Sequence, residues 1–183
     1  MNDAKAAGSQ SNNSTGYRLL ADNWRQVLAM LFLGFSAGLP LLLIFSTLSL
    51  WLREAGVDRS AVTYFSWAAL GYSFKFVWAP LVDKLPLPFL HRQMGKRRSW
   101  LLLSQVMVMS AMIWMAMNDP STASGLYYMA FAAVLLGFSS ATQDIVIDAY
   151  RIESAPADLQ SMLSSMYIAG YRIGMLVAGA GSL

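Results

Sequence analysis

From Val27 to Leu50 the chain carries no charged residue. A bilayer core about 30 Å thick is crossed by about 20 helical residues, so a run of this length is built for lipid rather than for a soluble core. Four further windows of similar length follow at 61–82, 99–117, 126–149 and 162–183. Backbone polar groups in hydrocarbon must be satisfied within the segment, and these runs are far longer than barrel strands, so each is read as a helix. The expected fold is all-α and integral to the membrane, with about five transmembrane helices forming an N-terminal half-bundle over 27–183. Composition agrees: 56% of residues are hydrophobic and 13% charged, where a soluble domain has about a quarter charged.

The remaining segments follow by contrast. Residues 1–16, rich in Asn, Ser, Gly and Ala, lack the apolar surface to fold and read as a disordered tail. Residues 17–26 set Leu19, Leu20 and Trp24 against Arg18, Asp22 and Arg25, a pattern for a short amphipathic piece on the membrane surface. The fifth window runs to Leu183 without a closing loop, which reads as truncation inside a span of a larger protein whose C-terminal helices complete it.

Lysine and arginine give the orientation. Lys84, Arg92, Lys96, Arg97 and Arg98 lie between the second and third windows, and Lys5, Arg18 and Arg25 precede the first. The positive-inside rule puts both on the cytoplasmic side, with the N-terminus inside. The net charge of +3 therefore reads as topology and attraction to anionic lipid; it lacks the basic patch with stacking aromatics that nucleic acid requires. There is no cysteine, and the single histidine, His91, sits in the basic loop, so no metal site, cofactor site or catalytic triad is expected.

Ionisable residues inside apolar spans are expensive and mark function. Asp144 and Asp148 lie near the end of the fourth window, Lys75 interrupts the second, and Arg172 sits about 15 Å into the fifth. Asp144 is the leading candidate for proton coupling, because burial and nearby cations change a carboxylate's proton affinity. The depth of Lys75 permits an ion pair with Asp144. Asp148, one turn on, is assigned to a partnership with Arg151 or the basic loop. Gln143 can bind a cargo amide or sugar, or bridge two helices. Arg172 can fork onto a cargo carboxylate or form a bridge within the bundle. Gly38 and Pro40 lie near the middle of the first window, where they can break the helix at a solute site or merely kink it. Gly34 with Gly38, and Gly170 with Gly174, form two small-xxx-small faces at matching depth, which predicts that the first and fifth helices touch. An aspartic protease site would need a second carboxylate converging from another helix, and Asp144 and Asp148 share one, so an enzyme is not expected.

The second inner loop, Ala79-Pro80-Leu81-Val82-Asp83-Lys84 followed by Gly95-Lys96-Arg97-Arg98, resembles the aspartate and basic cluster of major facilitator transporters. In that reading Asp83, Arg97, Arg98 and Asp148 form a cytoplasmic latch that opens and closes as bundles rock. Four motifs in order, 34–40, 75–80, 141–150 and 170–177, are similar to the muropeptide permease (AmpG) family. The resemblance implies a proton-coupled importer of anhydro-muropeptides in the bacterial inner membrane, serving peptidoglycan recycling, with an anionic solute, protons and lipid as partners. Eukaryotic acetyl-coenzyme A transporters are related, so another anionic solute such as acetyl-coenzyme A is the alternative cargo. A non-transporting membrane scaffold is the alternative of a different class. It would have no use for four ionisable groups in its spans.

Overall fold

A computed structural model describes residues 22–58, 65 and 67–181. The expected disordered tail, and residues 17–21 of the expected surface segment, lie outside these described residues, as do 59–64 and 66 at the start of the second window. Helix α1, Trp24–Leu42, continues through a π-helical turn, Leu43–Thr47, into α2, Leu48–Glu54. Trp24 to Gln26 form the first turn of α1. The second window holds α3, Ala68–Ser73, and α4, Lys75–Lys84, separated by a break at Phe74. A short α5, Leu90–Met94, occupies the basic loop. Helices α6, Lys96–Ala116, α7, Ala123–Ser154, and α8, Ala157–Ala180, complete the described chain.

Among the described residues three helices are long and apolar enough to cross a membrane: Trp24–Glu54, Lys96–Ala116 and Ala123–Ser154. They coincide with the first, third and fourth expected spans, each beginning about a turn earlier. Helix α8 carries the fifth window, but Asp158, Gln160, four serines and Arg172 keep it less apolar than those three.

Local chemistry sets the helix ends. Gly95 precedes α6 with φ +81°, the left-handed region that glycine enters without a Cβ penalty. Thr122 caps α7 by accepting the Gly125 amide on its hydroxyl at 3.1 Å. The α7–α8 corner is closed by Gln160, whose amide nitrogen donates to the carbonyls of Arg151 at 3.0 Å and Ala155 at 2.9 Å. Those carbonyls would otherwise be orphaned at the end of α7.

Helix α7 is the axis of the bundle. Two thirds of its most apolar stretch is buried, 67% against 28% for α6, because α1, α3, α4, α6 and α8 all pack on it. Toward one end Ile44, Leu48 and Leu52 meet Val108, Ala111 and Met115 of α6 over Met129, Ala132, Ala133 and Leu136 of α7. Small residues on α7 let neighbours approach: a Cβ on Gly71 of α3 would lie 3.0 Å from the Gly137 backbone.

The most extensive helix contact is α1 on α8, as the two glycine pairs predict. Gly34 faces the Tyr167 carbonyl and Gly38 that of Tyr171, while Gly170 faces Leu31 and Gly174 faces Phe35. Both series advance together along the two chains, so α1 and α8 run parallel.

Candidate transport site and latch

The polar residues of the bundle gather at two levels. The deeper one joins α3, α4, α7 and α8 around Asp144. The Tyr167 hydroxyl on α8 donates to Asp144 Oδ1 at 3.3 Å. Lys75, at the start of α4, acts on the Asp144 carboxylate through space, but the two do not form a contact ion pair. The hydroxyls of Tyr72 on α3 and Tyr171 on α8 also face Asp144. A single carboxylate is thus surrounded by one ammonium and three phenols drawn from three walls.

Gln143 lies beside this cluster, 1% exposed. Its Nε2 donates to the Ser36 hydroxyl on α1 at 3.0 Å, so it bridges helices, one of its two expected uses. Its Oε1 is buried without a hydrogen-bond partner among the described residues. An unfilled acceptor in apolar surroundings is unfavourable by about 1–3 kcal/mol, and a donor on a ligand or on another helix would relieve it. On the opposite flank the Trp78 indole donates to Thr142 Oγ1 at 3.2 Å and its ring meets Phe138 at 4.6 Å, fixing α4 on α7.

Arg172 follows Tyr171 but is exposed and has no ion pair among the described residues. Its expected role as a bridge within this bundle therefore does not occur. Gly38 and Pro40 also depart from expectation. Both are buried, and the Tyr171 backbone covers Gly38 so closely that a Cβ would stand 2.3 Å from its carbonyl oxygen. A cavity wall must be uncovered, and this surface is a helix contact. Nor is the first helix broken there: it runs through Pro40 and widens into the π turn three residues later.

The second level lies at the basic end of the bundle. Arg97, on the first turn of α6, donates through Nη1 to Asp83 Oδ1 at 2.6 Å. The rest of its fork grips Glu153 of α7, Nη2 to Oε1 at 2.5 Å and Nε to Oε2 at 3.0 Å. Lys96 Nζ donates to the Asp83 carbonyl at 2.7 Å. One planar guanidinium therefore ties α4, α6 and α7 together, a task for which an ammonium has the wrong shape. Asp148 pairs with Arg151 at 3.1 Å, as expected, and Arg151 also donates to Ser164 Oγ on α8. Arg98 is exposed and unpaired among the described residues. Glu153 is nine residues beyond Asp144, about 14 Å along the axis, which separates the two levels.

Sequence reasoning passed over Ser36, Tyr72, Tyr167, Tyr171 and Glu153. Tyr167 and Tyr171 had a signal, since both flank Gly170 one turn apart on the face that meets α1 and α7. Glu153 had less, because it lies past the last apolar residue, and only the length of α7 carries it to Arg97.

These helices and their glycine contacts can be set beside known proteins. The family model described as acetyl-coenzyme A transporter 1 matches residues 26–181, spanning both levels. The chain belongs to this transporter family. Relatives of this family member include the AmpG 4 protein of Rickettsia conorii, 45% identical over 151 residues, covering 82% of this chain and 36% of that protein. The anhydromuropeptide permease of Escherichia coli strain K12 is 40% identical over 150 residues, covering 82% of this chain and 29% of that protein. The AmpG resemblance read from the motifs is thereby shown. The chain spans about a third of the length of these curated relatives. No solved structure matches it. Transporters and permeases, not enzymes, make up this kinship, and with the apolar helices they make the chain part of a multi-pass membrane protein.

Proposed function

We propose that this chain supplies the N-terminal part of a proton-coupled permease that imports anhydro-muropeptides, with its N-terminus in the cytoplasm and its spans in the bacterial inner membrane. The observation that carries the reading is Asp144, held by Tyr167 within the field of Lys75 and bordered by Tyr72 and Tyr171. A carboxylate at a junction of several helices exchanges its proton when those helices move and its surroundings alternate between water, cation and apolar wall. Tyrosine hydroxyls and the open Gln143 Oε1 offer hydrogen bonds to sugar and amide groups. Arg172, exposed and unpaired, offers a planar fork for a carboxylate.

The basic end then works as a latch. Asp83, Arg97 and Glu153 hold α4, α6 and α7 in one arrangement, and Asp148 with Arg151 holds the α7–α8 corner. Breaking the Arg97 contacts frees α4 to rotate against α7, the kind of rigid-body step that alternating access requires. Arg98 joins the latch from the other bundle's side. The placement of Lys and Arg supports the orientation, and the remaining helices of the transporter supply the opposite wall.

Acetyl-coenzyme A is the second reading, favoured by the description of the matching family model. Uptake by membrane vesicles carrying the protein, with labelled anhydro-muropeptide and labelled acetyl-coenzyme A in parallel, separates the two. Uptake of the muropeptide that collapses with a proton uncoupler, and that Asp144→Asn abolishes while folded protein remains in the membrane, supports the proposal. Uptake that Asp144→Asn leaves at wild-type level refutes the proton role.

A further inference from the structure

Helices α1 and α6 both lean on α7 but do not pack on each other, and two cavities open in the seam between them. One, about 400 Å³, lies at the basic end between Phe32 of α1 and Leu102 of α6, with Tyr150 of α7 at its base. The other, about 350 Å³, lies toward the opposite end between Thr47 and Trp51 on one side and Met112 on the other, with Leu136 of α7 at its base. From Ala29 to Leu48 the seam extends about 28 Å along the first helix, the thickness of the hydrocarbon core. A lipid acyl chain fills one leaflet; an element that fills this seam must cross both.

Its chemistry favours protein. The Thr47 hydroxyl is buried without a partner, and the Gln105 amide, at the wall of the first cavity, has no hydrogen-bond partner among the described residues. Acyl chains satisfy neither, whereas a helix can present a polar side chain to each. At the basic mouth, Arg98 offers an unpaired cation, which complements the negatively polarised C-terminal end of a helix. Residues 1–21 are too polar to supply the occupant.

We infer that the α1–α6 seam is the berth of one further membrane-spanning helix of the same transporter, lying over α7 with its C-terminal end beside Arg98. This rests on the reading above that the chain is part of a larger bundle, as its coverage of a third of its relatives allows. The occupant covers Phe32 and Leu102 at one end and Trp51 at the other. It runs antiparallel to α1.

The test places photoreactive benzoylphenylalanine singly at Phe32, Leu102 and Trp51 in the full protein as its host makes it, in native membranes, and maps the adducts by mass spectrometry. The expected result is intramolecular cross-links to a single helix outside residues 22–181, its C-terminal third reached from Phe32 and Leu102 and its N-terminal third from Trp51. Adducts to phospholipid alone, adducts to a second copy, or the opposite polarity overturn the proposal. Uptake measured on the same membranes keeps the two readings apart. Correct cross-links without uptake defeat only the transport reading, and uptake without them defeats only the berth.

Discussion

Gly170 meets Leu31 at backbone distance: a Cβ built on the glycine would stand 2.0 Å from the Leu31 carbonyl oxygen. No side chain other than hydrogen fits there unless α1 and α8 separate. Overpacking typically destabilises by about 1–3 kcal/mol, and here the obstacle is backbone, which cannot rotate away. Gly170→Ala is therefore expected to lower thermal stability in detergent by at least that amount, and Gly170→Leu to prevent stable assembly of the pair. Gly179→Ala is the control, since its Cβ would meet only the end of Leu42 at 3.4 Å. A Gly170→Ala melting temperature equal to that of Gly179→Ala would contradict this account.

The Arg97 fork reaches two carboxylates that are half exposed, while its own side chain is only 14% exposed. Exposed pairs contribute about 0.2–1 kcal/mol each and weaken with salt. A double-mutant cycle between Arg97→Lys and Glu153→Gln should return a coupling within that range, falling as salt rises from about 0.01 to 1 M. Coupling that does not respond to salt would place the pair in a drier setting than described.

Tyr167→Phe deletes one hydroxyl that donates to Asp144 and leaves the ring in place. Loss of such a bond corresponds to about 0.5–1.5 kcal/mol, so the rate of coupled uptake should fall by about two- to tenfold with expression unchanged. The pH profile of uptake should also move, which a packing defect alone would not produce. An unchanged profile would leave Asp144 without the proposed dependence on α8.

Asp119, in the loop before α7, accepts from the Ser121 amide at 2.9 Å and its hydroxyl at 2.7 Å. These bonds favour the ionised form and hold its carboxyl below the usual carboxylate range. A depressed folded-state value means the turn is stabilised above the ordinary carboxylate pKa and loses that support as pH falls through the lower folded value. Ser121→Ala removes the hydroxyl and keeps the amide, so the Asp119 titration, followed by NMR, should move partway back upward. A titration that stays put would assign the whole effect to the backbone.

Much of the architecture was legible in residue order. Charge-free runs located the helices α1–α2, α6 and α7 because hydrocarbon leaves the backbone no other choice. The two glycine pairs gave the α1–α8 contact because spacing by four places both residues on one helical face. Asp83, Arg97 and the Asp148–Arg151 pair were found because charges at span ends have few partners within reach. The break at Phe74 was missed, since nothing in the apolar pattern of 61–82 distinguishes one helix from two. So was the burial of Gly38 and Pro40, because glycine and proline signal backbone latitude without saying what covers it.

The sequence by itself determined which segments enter lipid, where the charges sit along each, and that α1 and α8 can approach closely. These are properties of one chain segment against its solvent, readable one helix at a time. Only the tertiary structure decided that Tyr72, Lys75 and Tyr167 face Asp144 and that Glu153 shares the Arg97 fork. It likewise decided that Arg172 is left without a partner and that a seam stays open between α1 and α6. Those depend on how each helix is rotated about its own axis, and that rotation is fixed by packing against neighbours distant in the chain.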